Sequence, residues 1–80
     1  MTAKQFVSSR VAVIFEPGKK PKPQWFTLDG QKITVTEVTY YWENFEGTAK
    51  LEHYSVSTDI AGLCELVYNS REMVWSVLRK

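Results

Sequence analysis

Two adjacent residues, Asp29 and Gly30, constrain this chain more than any others. They stand between two runs rich in β-branched and aromatic residues, 24–28 (QWFTL) and 31–42 (QKITVTEVTYYW). Asp-Gly in that setting marks a two-residue hairpin, because a type I′ turn needs positive φ at both central positions. Such a loop pairs Leu28 with Gln31, Phe26 with Ile33 and Gln24 with Val35. Paired residues share a face of the sheet, so Phe26 and Leu28 join Ile33 and Val35 on one core face. Turn chemistry and hydrophobic pattern are independent signals, and here they agree.

Beyond Val35 the alternation breaks. The apolar positions move to Val38, Tyr40 and Trp42, which have the opposite parity. A regular strand would then exchange its buried face for its exposed one. One extra residue near Thr36-Glu37, a β-bulge, keeps the core face continuous. Bulges bend strands, and a bent strand suits a closed or strongly coiled sheet.

The rest of the chain also reads as strands. Residues 10–16 (RVAVIFE) are short and β-branched, with Phe6 and Val7 as an extension. Pro17, Pro21 and Pro23 then make a loop or an extended edge. Residues 43–49 read as a loop, 50–58 as a strand burying Tyr54 and Val56, and 59–62 as a turn. Cys64, Leu66 and Tyr68 share one face, as do Met73, Trp75 and Val77. A connection at 69–72 pairs Tyr68 with Met73, Leu66 with Trp75 and Cys64 with Val77. The expected fold is all-β: about six antiparallel strands in meander order, curled into a small barrel or half-barrel. Its core comprises Val11, Val13, Phe26, Leu28, Ile33, Val35, Val38, Tyr40, Trp42, Tyr54, Val56, Leu66, Trp75 and Val77. The alternative is α+β, with a C-terminal helix over 58–80 capped by Thr58 or Asp59. Gly62 and Asn69-Ser70 inside that segment weigh against a helix.

Composition bounds the function. Eighty residues suit one small domain, 1–80. A single Cys makes no intramolecular disulfide and no thiolate zinc cage. The net charge of +1 excludes strong bulk attraction to nucleic acid or anionic lipid. It is unevenly spread: residues 1–32 carry +4, 33–66 carry −5 and 67–80 carry +2. No run approaches the ~18 apolar residues of a membrane helix. The start, MTAKQFVSSR, has no apolar signal-peptide core, so a cytoplasmic, bacterial or archaeal protein is expected.

Chemistry-bearing residues are few. His53 lies opposite Tyr54 in strand parity and so faces solvent, while Cys64 faces the core, which leaves no nucleophile–base pair. Glu43 and Glu46 read as solvated loop charge. The glycines are isolated and make no phosphate loop. The expectation is no enzyme, no metal and no cofactor. Two binding features remain. Lys19, Lys20 and Lys22 sit on a stiff backbone beside Trp25, where lysines contact phosphates and an indole stacks on a base. The plainer reading is a loop that protects a sheet edge. The face opposite the core carries Trp25, Thr27, Thr34 and Tyr41, a partner-contact surface. Its plainer reading is Trp25 folded under the proline loop.

The succession VAVIF, WFTLDGQKITVTEV-TYYW and EHYSVSTDIAGLCELVYNSREMVWSVL resembles a bacterial family of short, uncharacterised all-β proteins. The resemblance spans residues 6–79 and rests on Phe26, Val38, Trp42, Tyr54, Leu66 and Trp75. Cys64 departs from it, standing where an aromatic is usual. The resemblance implies a fold and supplies no activity, although some members accompany DNA-repair polymerases. The leading expectation is therefore a non-enzymatic interaction module for a protein partner. The second is weak nucleic-acid binding through Lys19–Lys22 and Trp25, linked to DNA repair. No membrane partner is expected, and monomer and homodimer both stay open.

Overall fold

The computed structural model describes residues 7–80 and contains seven strands: β1 (Val7–Ser9), β2 (Val11–Ile14), β3 (Lys22–Leu28), β4 (Gln31–Glu46), β5 (Ala49–Thr58), β6 (Leu63–Asn69) and β7 (Val74–Arg79). Phe6, the expected extension of the first strand, lies outside the described residues; Val7 does begin β1. The sheet is antiparallel, in the order β1-β7-β6-β5-β4-β3-β2, and curls into a half-barrel. Its first and last members are separated in the chain only by Arg10, so its two margins meet at that bend. Thr27 clasps the junction: its N–H donates to the Arg10 carbonyl at 3.0 Å, and its carbonyl accepts from the Ser9 hydroxyl at 2.7 Å. The C-terminal segment is β6 and β7, which removes the α+β alternative, and no helix is present among the described residues. None, therefore, is long and apolar enough to cross a membrane.

The first hairpin forms as its sequence requires. Asp29 and Gly30 take φ of 52° and 75°, and Phe26 pairs with Ile33 and Leu28 with Gln31. The expected bulge is present too: the β4–β5 register shifts between Val35 and Glu37, leaving Thr36 unpaired. A second shift between Val38 and Tyr40 was not legible, and it leaves Thr39 as another extra residue. Its hydroxyl donates to the Ser55 carbonyl at 3.0 Å. This second bulge reverses the parity again. Tyr41 therefore turns inward opposite Tyr54, and Tyr40 and Trp42 turn outward, which corrects the expected core at all three positions. Tyr40 is 64% exposed.

Two further expectations need correction. Residues 43–46 are not loop; they extend β4, and the connection to β5 is the two-residue turn Gly47-Thr48. The last hairpin is offset by two residues, with Leu66 opposite Val77 and Tyr68 opposite Trp75. An offset of two preserves the face, so Cys64, Leu66, Trp75 and Val77 keep to the core, Tyr68 lines the open cleft on the same side, and Met73 leaves the set. That residue ends the 70–73 turn at φ 57° and is 75% exposed. The turn is organised by Asn69, whose side-chain oxygen accepts from the Arg71 and Glu72 N–H groups, each at 3.0 Å.

The buried core is Phe26, Ile33, Tyr54, Val56, Ala61, Cys64, Leu66 and Val77, with Val11, Leu28, Val35, Val38, Tyr41 and Trp75 packed against it. Each large side chain so buried contributes about 1.5–3 kcal/mol. Pro23 is buried inside β3, and the ladder accommodates it with a register shift between Ala12 and Val13 that skips Gln24.

A Cβ at Gly30 would meet no atom within 4 Å, so only the backbone conformation resists a side chain there. Gly30→Ala is expected to lower stability by about 1–2 kcal/mol. Urea denaturation should show a lower midpoint at unchanged slope; an unchanged midpoint contradicts the turn assignment.

Candidate functional site

The concave face of the half-barrel is left open at one end, beneath the loop joining β2 to β3. That loop is shaped by Pro17 and Gly18. The Lys19 N–H donates to the Glu16 carbonyl at 3.1 Å and Gly18 has φ 73°, which is a type II turn with Pro and Gly in their preferred places. Two clefts adjoin under it, both lined by Pro21 and Tyr54. The first, about 460 Å³, is walled by Lys19, Lys20, Lys22, Glu16, Glu37 and Tyr41. The second, about 410 Å³, is walled by Phe15, Glu52, Tyr68, Trp75, Val11 and Val13.

Strand register brings aromatic rings together along this face. Tyr41 lies opposite Tyr54, and Tyr68 opposite both Glu52 and Trp75. The rings form a continuous chain: Tyr41 to Tyr54 at 4.9 Å edge-on, Tyr54 to Trp75 at 5.5 Å, and Tyr68 to Trp75 at 5.0 Å. These separations are favourable for aromatic pairs.

Two carboxylates sit among the rings, and cross-strand pairing sets them directly opposite one another: Glu43 and Glu52. Like charges at that spacing repel. The surroundings offset the repulsion. The Tyr41 hydroxyl donates to Glu43 Oε2 at 2.6 Å and also reaches Glu52 Oε1 at 3.3 Å. The Tyr54 hydroxyl donates to Glu52 Oε1 at 3.1 Å, and Lys50 Nζ lies 3.2 Å from Glu43. The Tyr41 hydrogen bond, followed by Lys50, holds the Glu43 carboxyl below its ordinary range. Burial, reinforced by the neighbouring glutamates, pushes both the Tyr41 and Tyr54 phenols well above theirs. Both tyrosines therefore stay protonated as fixed donors. Lys20 Nζ stands 4.2 Å from the Tyr41 ring centroid, a cation–π contact between loop and sheet.

The structure gathers Lys19, Lys20, Lys22 and Tyr41 around one cleft but leaves Trp25 on the other face. Trp25 is half-buried opposite Ala12 and Thr34, and Lys32 Nζ lies 4.9 Å from its ring centroid. The expected surface shared by Trp25 and Tyr41 is thus divided, because the second bulge moves Tyr41 inward. The aromatic partner of the lysine loop is Tyr41.

His53 does take the other face of β5 from Tyr54, paired with Trp42 and Val67, yet it is covered rather than solvated. It stacks on Trp42 at 4.7 Å, its Nδ1 is 3.0 Å from Glu65 and its Nε2 is 2.7 Å from Asn44. Cys64 is fully buried on the other face, and desolvation raises its thiol pKa. Among the described residues no group of three His, Cys, Asp or Glu side chains is arranged to hold a metal ion.

Sequence reasoning overlooked Glu52. Its parity matches Tyr54 and Val56, so a carboxylate on the core face of a strand was a readable signal. Tyr68 and Trp75 carry only a packing signal in the sequence, and Phe15 only a strand signal. Comparison of the chain with protein-family models, with curated proteins and with solved structures finds no match.

Because the folded Glu43 carboxyl titrates below its ordinary value of about 4.3, it stabilises the fold above that pH and loses the contribution as pH falls through its own pKa. Tyr41→Phe removes the largest cause. A carboxyl-detected NMR titration should then find the Glu43 pKa higher in the variant; an unmoved pKa refutes the hydrogen bond's role.

Proposed function

We propose that the protein is a non-enzymatic interaction module that holds a protein partner in the concave cleft and acts in the cytoplasm. The carrying observation is the aromatic chain from Tyr41 through Tyr54 and Trp75 to Tyr68, left open under the β2–β3 loop. Aromatic side chains in a cleft offer large apolar area with little conformational entropy to lose, as binding hot spots do. Phe15, 75% exposed on the loop, extends that surface at little cost to the fold. Phe15→Ala should leave the melting temperature within about 2 °C, because surface substitutions change stability little. Cross-linking from the source cell should recover a partner with the wild-type protein and lose it with Phe15→Ala. Equal recovery with both removes the cleft as the contact.

A second reading is supported by the convergence of Lys19, Lys20 and Lys22 on one cleft beside Tyr41. It is weak binding of single-stranded nucleic acid, linked to DNA repair, with Tyr41 rather than Trp25 as the neighbouring ring. Glu16 and Glu37 on the same cleft oppose it. Anisotropy of labelled single-stranded DNA and RNA decides the matter: phosphate contacts bind at low salt and weaken steeply as salt rises. No binding at low salt ends this reading.

A further inference from the structure

We propose that the second cleft, bounded by Phe15, Tyr54, Tyr68 and Trp75, receives an alkylammonium group, with Glu52 as its counter-charge. The group is carried by a lysine or methylated lysine side chain of the partner. The proposal rests on the interaction-module reading and specifies what the partner inserts.

Three features of the cleft select a cation. First, its walls are aromatic, and ring faces attract ammonium groups, most strongly where water is excluded. Second, the charge is one-sided: among the described residues the lining holds one carboxylate and no Lys, Arg or His. Third, the Tyr54 phenol proton is already committed to Glu52, so that hydroxyl offers an entering group its oxygen rather than its hydrogen. An anion would meet Glu52 with no basic side chain to offset it. Glu52 Oε1 takes both tyrosine hydroxyls, and nothing among the described residues bonds its Oε2. The protein supplies a precedent next door. In the adjoining cleft Lys20 places its ammonium 4.2 Å from the Tyr41 ring, within reach of the Glu43 charge. The volume of about 410 Å³ lies in the lower part of the range for ligand sites.

Choline is the probe, added to the whole chain and followed at the indole N–H of Trp75 by proton–nitrogen NMR. Trp25 and Trp42 lie outside the cleft and report any general effect. The control is choline's neutral isostere, in which carbon replaces the nitrogen, with sodium chloride matching ionic strength. Choline is expected to shift Trp75 saturably and to bind about tenfold more tightly than the isostere. Glu52→Gln, which keeps the oxygen acceptor for the tyrosines, should remove that preference. Phe15→Ala should weaken choline binding, and its exposed position keeps this test open if Glu52→Gln unfolds. Equal affinity for choline and isostere, a Trp75 response no greater than sodium chloride causes, or undiminished preference in Glu52→Gln overturns the proposal. Partner capture separates the two claims. A partner lost on Phe15→Ala but not displaced by choline overturns the cation site and leaves the module. Saturable choline binding with no partner captured supports the cation site and overturns the module.

Discussion

A strand has two faces, and a single-residue slip exchanges them. The 16-residue β4 is long enough to feel this constraint twice. It runs from the first hairpin, where Ile33 must face Phe26, to the far end of the sheet, where Tyr41 must face Tyr54. Thr36 and Thr39 are the extra residues that reconcile the two demands. Each adds curvature, and together they help bend the sheet until its first and last strands meet at Arg10. The core, the curl and the open concave cleft all depend on that doubly bulged strand.

The concave face shows what such curvature makes available. It brings Tyr41, Tyr54, Tyr68 and Trp75 into one chain of rings and sets Glu43 and Glu52 beside each other among them. Opposed carboxylates are tolerated because two phenols donate to them and Lys50 neutralises one. The opposite face solves a smaller problem with the same means: Trp42 covers His53, and Glu65 and Asn44 satisfy its ring nitrogens. Polar groups on both faces are thus paired, and no buried side-chain nitrogen or oxygen lacks a partner among the described residues.

Legibility varied with the range of the determining interaction. The Asp29-Gly30 hairpin was readable to its register, because turn type and local alternation speak of the same few residues. The bulge at Thr36 was readable because the pattern visibly changed parity there. The bulge at Thr39 was hidden: Tyr40, Tyr41 and Trp42 are all aromatic, so hydrophobicity could not tell which faces inward. The last hairpin's face was readable but not its offset, since a shift of two preserves parity. Of the candidate site, Lys19 and Lys20 of the loop and Lys22 at the start of β3 were visible as a charge run. Their neighbour was misassigned, because Trp25 is adjacent in sequence and Tyr41 only in space.

The amino-acid sequence by itself determined an all-β chain, the first turn and most of the residues that fill the core. It did so because propensity, turn chemistry and period-two patterning act over a few residues and concur. Only the tertiary structure decided which of three successive aromatics enters the core, and that Glu52 shares a cleft with Tyr68, Trp75 and Phe15. Those outcomes depend on bulges and on the closure of the sheet, where strands far apart in the chain fix each other's register.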